Sequence, residues 1–197
     1  MKLTLKNIGK IGTASVEING ITVIAGENNT GKSTVGRALF AVFNSFCNVQ
    51  KQIENERVDS VENLLDRMYM NASSRFMRFV NTNEIAKTIV ARIDSYRQAE
   101  LSDMQKNIID LLSQYDDGKI ESFDENTITE TVSRIKDVLN VSDIDFLKSV
   151  LERKLDAEFN EQVCNIFSED GGEIRLQIKD NVITVSVENE GAVGIQN

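Results

Sequence analysis

Apolar and polar positions change rhythm three times along this chain, and each change marks a different kind of element. In Met1-Lys2-Leu3-Thr4-Leu5-Lys6 and in Ala14-Ser15-Val16-Glu17-Ile18 the two classes alternate, as in strands with one buried face. Asn19-Gly20 is a hairpin dipeptide. Ile21-Thr22-Val23-Ile24-Ala25 then runs nearly unbroken and β-branched, which predicts a strand buried on both faces of a parallel or mixed sheet. From Ser33 the period is helical, with Val35, Ala38, Leu39, Val42, Phe43 and Phe46 three and four apart, so one face of a helix is expected to pack on that sheet.

From Asn48 to Ser168 the pattern predicts helices almost throughout. Ile53, Leu64, Leu65 and Met68 mark the first of them, then Ile85, Ile89, Val90 and Ile93, then Leu101, Met104, Ile108, Leu111 and Leu112. Asp116-Asp117-Gly118 reads as a turn. Ile128, Val132, Ile135, Val138 and Leu139 continue the series, and Ile144, Leu147, Leu151, Leu155, Phe159, Val163 and Phe167 form the longest stripe. Heptads do not persist between turn signals, so a folded helical insertion is expected rather than a long coiled coil. After Asp170-Gly171-Gly172 alternation returns: Ile174, Leu176 and Ile178, then Ile183, Val185 and Val187, flank Lys179-Asp180-Asn181 and predict a β-hairpin with a tight Asp-Asn turn. The tail from Gly191 to Asn197 predicts no further element, and its ending reads as the cut end of a longer chain. The expected organisation is a lobe over residues 1–48, a helical insertion over 49–168 and a hairpin over 169–197 returning to the sheet.

Composition narrows the chemistry. With 197 residues, 41% apolar and 27% charged, the chain has the make-up of a folded globular protein. It has no histidine, which removes Ser-His-Asp and Cys-His catalysis and any imidazole base. It has no proline either, in keeping with a mainly helical body. Cys47 and Cys164 show no C-x-x-C spacing; both lie in apolar, helical sequence and read as small buried hydrophobes in a reducing compartment. No apolar run approaches the ~18 residues of a membrane span, so a cytoplasmic protein without membrane contact is expected. The net charge of −9 argues against a general nucleic-acid coat. Charge is nonetheless uneven: residues 1–50 carry Lys2, Lys6, Lys10, Lys32 and Arg37 against only Glu17 and Glu27, making the N-terminal end the place for an anionic ligand.

That end contains Gly26-Glu27-Asn28-Asn29-Thr30-Gly31-Lys32-Ser33, which satisfies G-x-x-x-x-G-K-[ST] between an expected strand and an expected helix. In such a loop the glycines let the backbone wrap closely round a phosphate and turn successive amides inward. The helix N-terminus adds unpaired N–H groups and positive dipole charge. Gly26, Glu27, Asn28, Asn29, Thr30, Gly31, Lys32, Ser33 and Thr34 are the expected nucleotide contacts. Lys32 is the catalytic cation bridging β- and γ-phosphates, Ser33 the Mg²⁺ ligand, and Thr34 the contact within reach of the α-phosphate.

With Lys2 to Lys10 and Val16 to Thr34 in view, the segment resembles the N-terminal lobe of ABC-superfamily ATPases of the SMC, RecF, RecN and OLD kind, also labelled AAA-family ATP-binding proteins. Two strands precede a G-x-N-x-x-G-K-S-T loop there, and a helical arm is inserted in the head. The resemblance covers about the first 45 residues. It implies an α/β P-loop NTPase lobe, with a small mixed sheet and a P-loop helix, that binds ATP with Mg²⁺ and couples it to homodimerisation of heads in DNA repair, chromosome maintenance or defence. It also implies a C-terminal half that supplies the strand ending in Asp-Glu and the signature loop. This chain departs from those families in following Asn7 with Ile8 and Gly9 instead of an aromatic and a basic residue, so the resemblance carries no nucleotide contact onto Lys10. Its phosphate-sensing glutamine is matched equally by Gln177 and Gln196. The nearest runs to the other motifs, Ile89 to Asp94 and Leu101-Ser102-Asp103, fit neither.

Two other readings compete. A small P-loop kinase or phosphotransferase would need lid arginines, for which Arg75, Arg78, Arg92 and Arg97 are the candidates; a nucleotide-regulated binding module would bind without turnover. Those arginines, interleaved with Phe76, Phe79 and Tyr96, also invite a nucleic-acid reading, but aromatics at helical spacing read first as core. Asp116-Asp117 and Asp124-Glu125 read as solvated loop charges. DNA binding by the chain alone is expected to be weak.

Overall fold

Alternation in the first seventeen residues becomes a hairpin of β1 (Lys2–Ile8) and β2 (Ile11–Glu17) in the computed structural model, which describes residues 1–71, 80–115, 123–188 and 191–196. The late alternation becomes β3 (Gly172–Ile178) and β4 (Asn181–Val187), joined by a two-residue turn at Lys179-Asp180 in which Lys179 takes φ 55°. A short β5 (Val193–Gln196), unexpected from the sequence, adds to β4. The sheet order is β2-β1-β3-β4-β5, and every pairing is antiparallel. The protein is therefore mixed α/β, but its sheet is antiparallel rather than the expected mixed one.

Ile21 to Ala25 accounts for that difference. These residues form no strand; Ile21 is 95% exposed, Val23 82% and Ile24 43%. Their β-branched side chains favour a pleated, half-buried surface only where a neighbouring strand provides one. Among the described residues none does, and no second hairpin forms at Asn19-Gly20.

The chain divides into two compact units, Met1–Gln52 with Ile144–Asn197, and Ile53–Asp143. In the first, Leu3 pairs with Leu176, Leu5 with Ile174 and Ile174 with Val185, so one sheet face is a continuous apolar surface. α1 (Lys32–Phe46) adds Val35, Ala38, Ala41 and Val42 to that core, and α7 (Asp143–Phe159) adds Leu151, Leu155 and Phe159. The opposite face carries Thr4 and Arg175, then Lys6 and Glu173, in register. The longest apolar stripe thus serves the sheet, and the helical unit ends near Asp143 rather than at residue 168. Along α1 the buried arc is narrower than expected, for Phe43 is exposed and Leu39 and Phe46 are only half-buried; Phe40, off that arc, is exposed as well. At the far end of α1, Asn44 O accepts from Gln52 Nε2 at 2.7 Å and from Lys154 Nζ at 2.8 Å, which satisfies a terminal carbonyl.

The second unit takes α2 (Val49–Asn71) from Ile53 onward, with α3 (Thr82–Ala91), α4 (Ile93–Gln98), α5 (Leu101–Tyr115) and α6 (Glu125–Asn140). Leu65, Ile85, Ile89, Met104, Ile108, Ile135 and Leu139 are its fully buried centre. Asn81 caps α3 by accepting from Glu84 N, and Asp124 caps α6 by accepting from Thr127 N. Arg57 Nη2 donates to Val141 O at 2.7 Å and pairs with Asp143 at 2.8 Å. No helix among the described residues is long and apolar enough to cross a membrane. Asp116-Asp117-Gly118, Arg75, Phe76, Arg78 and Phe79 lie outside the described residues.

Neither cysteine is the helical core residue expected. Cys47 is exposed just past the end of α1. Cys164 is half-buried in an isolated bridge with Ile8, and burial pushes its thiol pKa up against a smaller lowering by a Gly172 backbone hydrogen bond.

Candidate functional site

α1 begins in a way that no ordinary surface helix does. Its N-cap is Gly31 in the left-handed region at φ 86°, with no side-chain cap and no acidic residue in the first turn. Lys32, a cation, occupies the first helical position, on the positive end of the dipole where an anion is favoured. α3 and α6, in contrast, open with a side-chain cap and an acidic first turn. The sequence has thus left the first amides of α1 without an internal acceptor at the point where the G-x-x-x-x-G-K-S motif ends.

The loop is held by its own side chains. Lys32 Nζ donates to Gly26 O at 2.8 Å and to Glu27 O, so its ammonium is drawn back over the loop it follows. Thr30 Oγ1 donates to Glu27 O at 2.9 Å. Asn29 is left-handed at φ 69°, a conformation asparagine tolerates better than most residues. Gly31 is required twice over: besides its φ, an added Cβ would stand 2.8 Å from Ile11 Cγ1. Glycine is also what lets the β1–β2 turn approach α1, since a Cβ on Gly9 would come within 3.2 Å of Thr34 Cγ2.

That approach brings in residues that sequence reasoning left aside. Lys10 Nζ donates to Asn29 Oδ1, and Lys10, Ile11, Ile24, Thr30, Gly31 and Lys32 line one groove of about 410 Å³, within the range of small-molecule sites. No local sequence pattern links positions 10 and 29; the contact exists because the hairpin folds back against the helix start. All of residues 26–30 are exposed, and Ser33 is exposed at the second position of α1. A hydroxyl so placed suits Mg²⁺, which retains waters and takes few protein ligands beside phosphate oxygens. Among the described residues no group of three or more Cys, Asp or Glu forms a metal cage of its own.

Comparison of the chain with protein-family models, with curated proteins and with solved structures gives no match. The site therefore rests on its own geometry.

Other candidates fall elsewhere. Gln177 pairs with Lys2, at the end of the sheet opposite the β1–β2 turn, and donates to Lys179 O; Gln196 pairs with Thr184 on β5. Arg97 donates from Nε to Leu139 O at 2.7 Å and so caps α6 within the helical unit, while Arg92 is exposed at the α3–α4 junction. Ile89 and Val90 are core residues of α3, and Leu101-Ser102-Asp103 is the first turn of α5.

Proposed function

We propose that residues 26–34 bind the phosphates of an Mg-nucleotide and that the chain is the ATP-binding lobe of an SMC- or RecF-like ATPase. One observation carries this reading: α1 opens uncapped on a left-handed glycine, with Lys32 lying back over a loop whose sequence is G-x-x-x-x-G-K-S. Phosphate would take the α1 amides, Lys32 would bridge the terminal phosphates, and Ser33 would hold the magnesium that neutralises them.

The partner that best fits the remaining surface is a further sheet, belonging to the C-terminal remainder of such an ATPase. Ile21, Val23 and Ile24 expose apolar side chains on a segment paired to no strand, and α1 exposes Phe40 and Phe43. An added strand there would cover that surface and complete the head, and pairs of complete heads would dimerise on ATP in DNA repair, chromosome maintenance or defence.

The test is a thermal melt of the chain with and without Mg-ATP and Mg-ADP. A ligand that binds only the folded state adds about 2.7 kcal/mol at a hundredfold excess over Kd. Lys32→Ala should remove the shift and leave the unliganded melt nearly unchanged, since its ammonium bonds only to exposed loop carbonyls. No shift at millimolar nucleotide would sink the reading.

A further inference from the structure

Two stretches of the chain contain no base. Between Lys154 and Arg175 the only charged residues are Asp156, Glu158, Glu161, Glu169, Asp170 and Glu173; after Lys179 they are Asp180, Glu188 and Glu190. The fold sets these stretches against each other: α7 and the segment after it form one wall of a cavity of about 670 Å³, and the end of β4 forms another. Cys164 Sγ donates to Val187 O at 3.4 Å and joins the two. Asp156, Glu161 and Glu188 line the cavity and enter none of the ion pairs of the described residues. Among those residues no group of three acidic or thiol side chains is placed to hold a metal ion, so the carboxylates are spread along the cavity instead of aimed at one point.

The lip of that cavity is apolar and fixed. Ile166, which lines it, is 65% exposed, and Phe167 beside it is 89% exposed. Neither sits on a loose loop: Asn165 N donates to Asn7 O at 2.9 Å, Phe167 N donates to Asn165 Oδ1 at 3.0 Å, and Ser168 N donates to Asn165 O at 3.0 Å. The turn thus holds a large aromatic side chain in water beside an acidic cavity.

We propose that the cavity and this turn dock a basic segment of a partner protein, one that alternates lysine or arginine with apolar residues. Charge complementarity names the occupant: a lining with carboxylates and no base attracts cations and repels acidic surfaces, the same face of a second copy included. The spread carboxylates suit several cations along one chain, and the cavity takes their long aliphatic stems. Phe167 with Ile166 supplies the apolar anchor on which such contacts centre. The site shares no residue with 26–34 and does not depend on their reading as a phosphate loop.

The experiment is fluorescence anisotropy of the full chain with a short labelled peptide of alternating lysine and leucine, at about 50 and 200 mM salt. Affinity is expected to fall as salt screens the carboxylates, to be about tenfold weaker for a lysine–glycine peptide and to vanish for a glutamate–leucine peptide. Phe167→Ser should cost about tenfold, and Glu161→Gln with Glu188→Gln about fivefold to tenfold. All three positions are exposed, so melting temperatures should stay unchanged. Glu54→Gln with Asp59→Asn removes two exposed charges from the helical unit and should leave affinity within about twofold. Equal losses from the two charge pairs would show adsorption on overall charge and overturn the proposal, as would unchanged binding in Phe167→Ser. Calorimetric binding of spermidine that is lost in Glu161→Gln with Glu188→Gln but unaffected by Phe167→Ser would replace the docked segment with a small polyamine. Absence of any binding of the lysine–leucine peptide would overturn the proposal outright.

Discussion

Two glycines five residues apart in the same helix start should respond to alanine with opposite signs. Gly31 holds φ 86°, and a Cβ built on it stands 2.8 Å from Ile11 Cγ1 and 3.3 Å from Cδ1. Left-handed backbone costs a residue with a Cβ about 1–2 kcal/mol. Crowding a packed isoleucine that is only 8% exposed costs about 1–3 kcal/mol more, less if Ile11 can shift. Gly31→Ala should therefore destabilise the sheet unit by about 2–5 kcal/mol. Gly36 lies inside α1 with nothing within 4 Å of a built Cβ, so Gly36→Ala should stabilise by about 0.5–1 kcal/mol through the unfolded chain and helix propensity.

The assay must see the right unit. Tyr69, Tyr96 and Tyr115 are the only tyrosines, the chain has no tryptophan, and all three lie in Ile53–Asp143, so intrinsic fluorescence reports the helical unit. Half-buried Cys164 reports the sheet unit, and its labelling rate in a Cys47→Ser background gives the opening free energy there. Ile11→Ala should lose part of its own cost in the Gly31→Ala background, a coupling on the order of 1 kcal/mol. Equal signs for the two glycine substitutions, or no coupling to Ile11, would refute the claim that the turn and the loop are fitted to one another at Gly31.

Cys164 also sets a pH dependence. Burial raises its pKa, so the folded state holds the thiol proton longer than the unfolded chain. The resulting stability is complete below the ordinary thiol pKa of about 8.5 and is lost as pH rises through the folded value. Denaturation of the sheet unit followed by hydrogen exchange from pH 8 to 10 should show this loss in the native chain and a smaller one in Cys164→Ala; identical profiles would remove the thiol as its cause. For DNA, fluorescence anisotropy at about 50 and 200 mM salt should show weak binding with a shallow slope, because few phosphates are neutralised by a chain of net charge −9. Tight, steeply salt-dependent binding would point instead to a basic footprint made by part of the chain.

Most elements were legible because their information is local. Leu3 and Leu5, Ile174 and Leu176, and Val35, Ala38 and Val42 each announce a period, and the structure buries those positions. Ile21 to Ala25 forms no strand despite its composition, because β-branching says how a residue behaves in a sheet and nothing about whether a neighbour exists. The stripe holds from Leu147 to Phe159 in α7, while Ile144 and Phe167 are exposed and the helix stops at Phe159; a stripe, moreover, does not name the core it faces, and Leu151, Leu155 and Phe159 meet the sheet. β5 carries no sequence signal because four residues, Val193-Gly194-Ile195-Gln196, are too few for a period. At the loop, the motif gave the positions, while Lys10 and Ile11 entered only through the fold of the hairpin.

The bare segment from Asn19 to Ala25 has a consequence for handling the protein. It contains no charged residue and no proline, and its β-branched side chains stand in water. Such a stretch has the composition of a cross-β spine, lacking the lysines and prolines with which exposed edges usually block stacking. What keeps two copies apart is the net charge of −9, a repulsion whose range shrinks from about 30 Å at 0.01 M salt to about 8 Å at 0.15 M. Colloidal lifetime should consequently shorten with added salt and with acidification toward the sequence pI of about 4.7, the reverse of what an exposed basic patch would produce. Low ionic strength and mildly alkaline buffer below the thiol range are the conditions that this surface dictates.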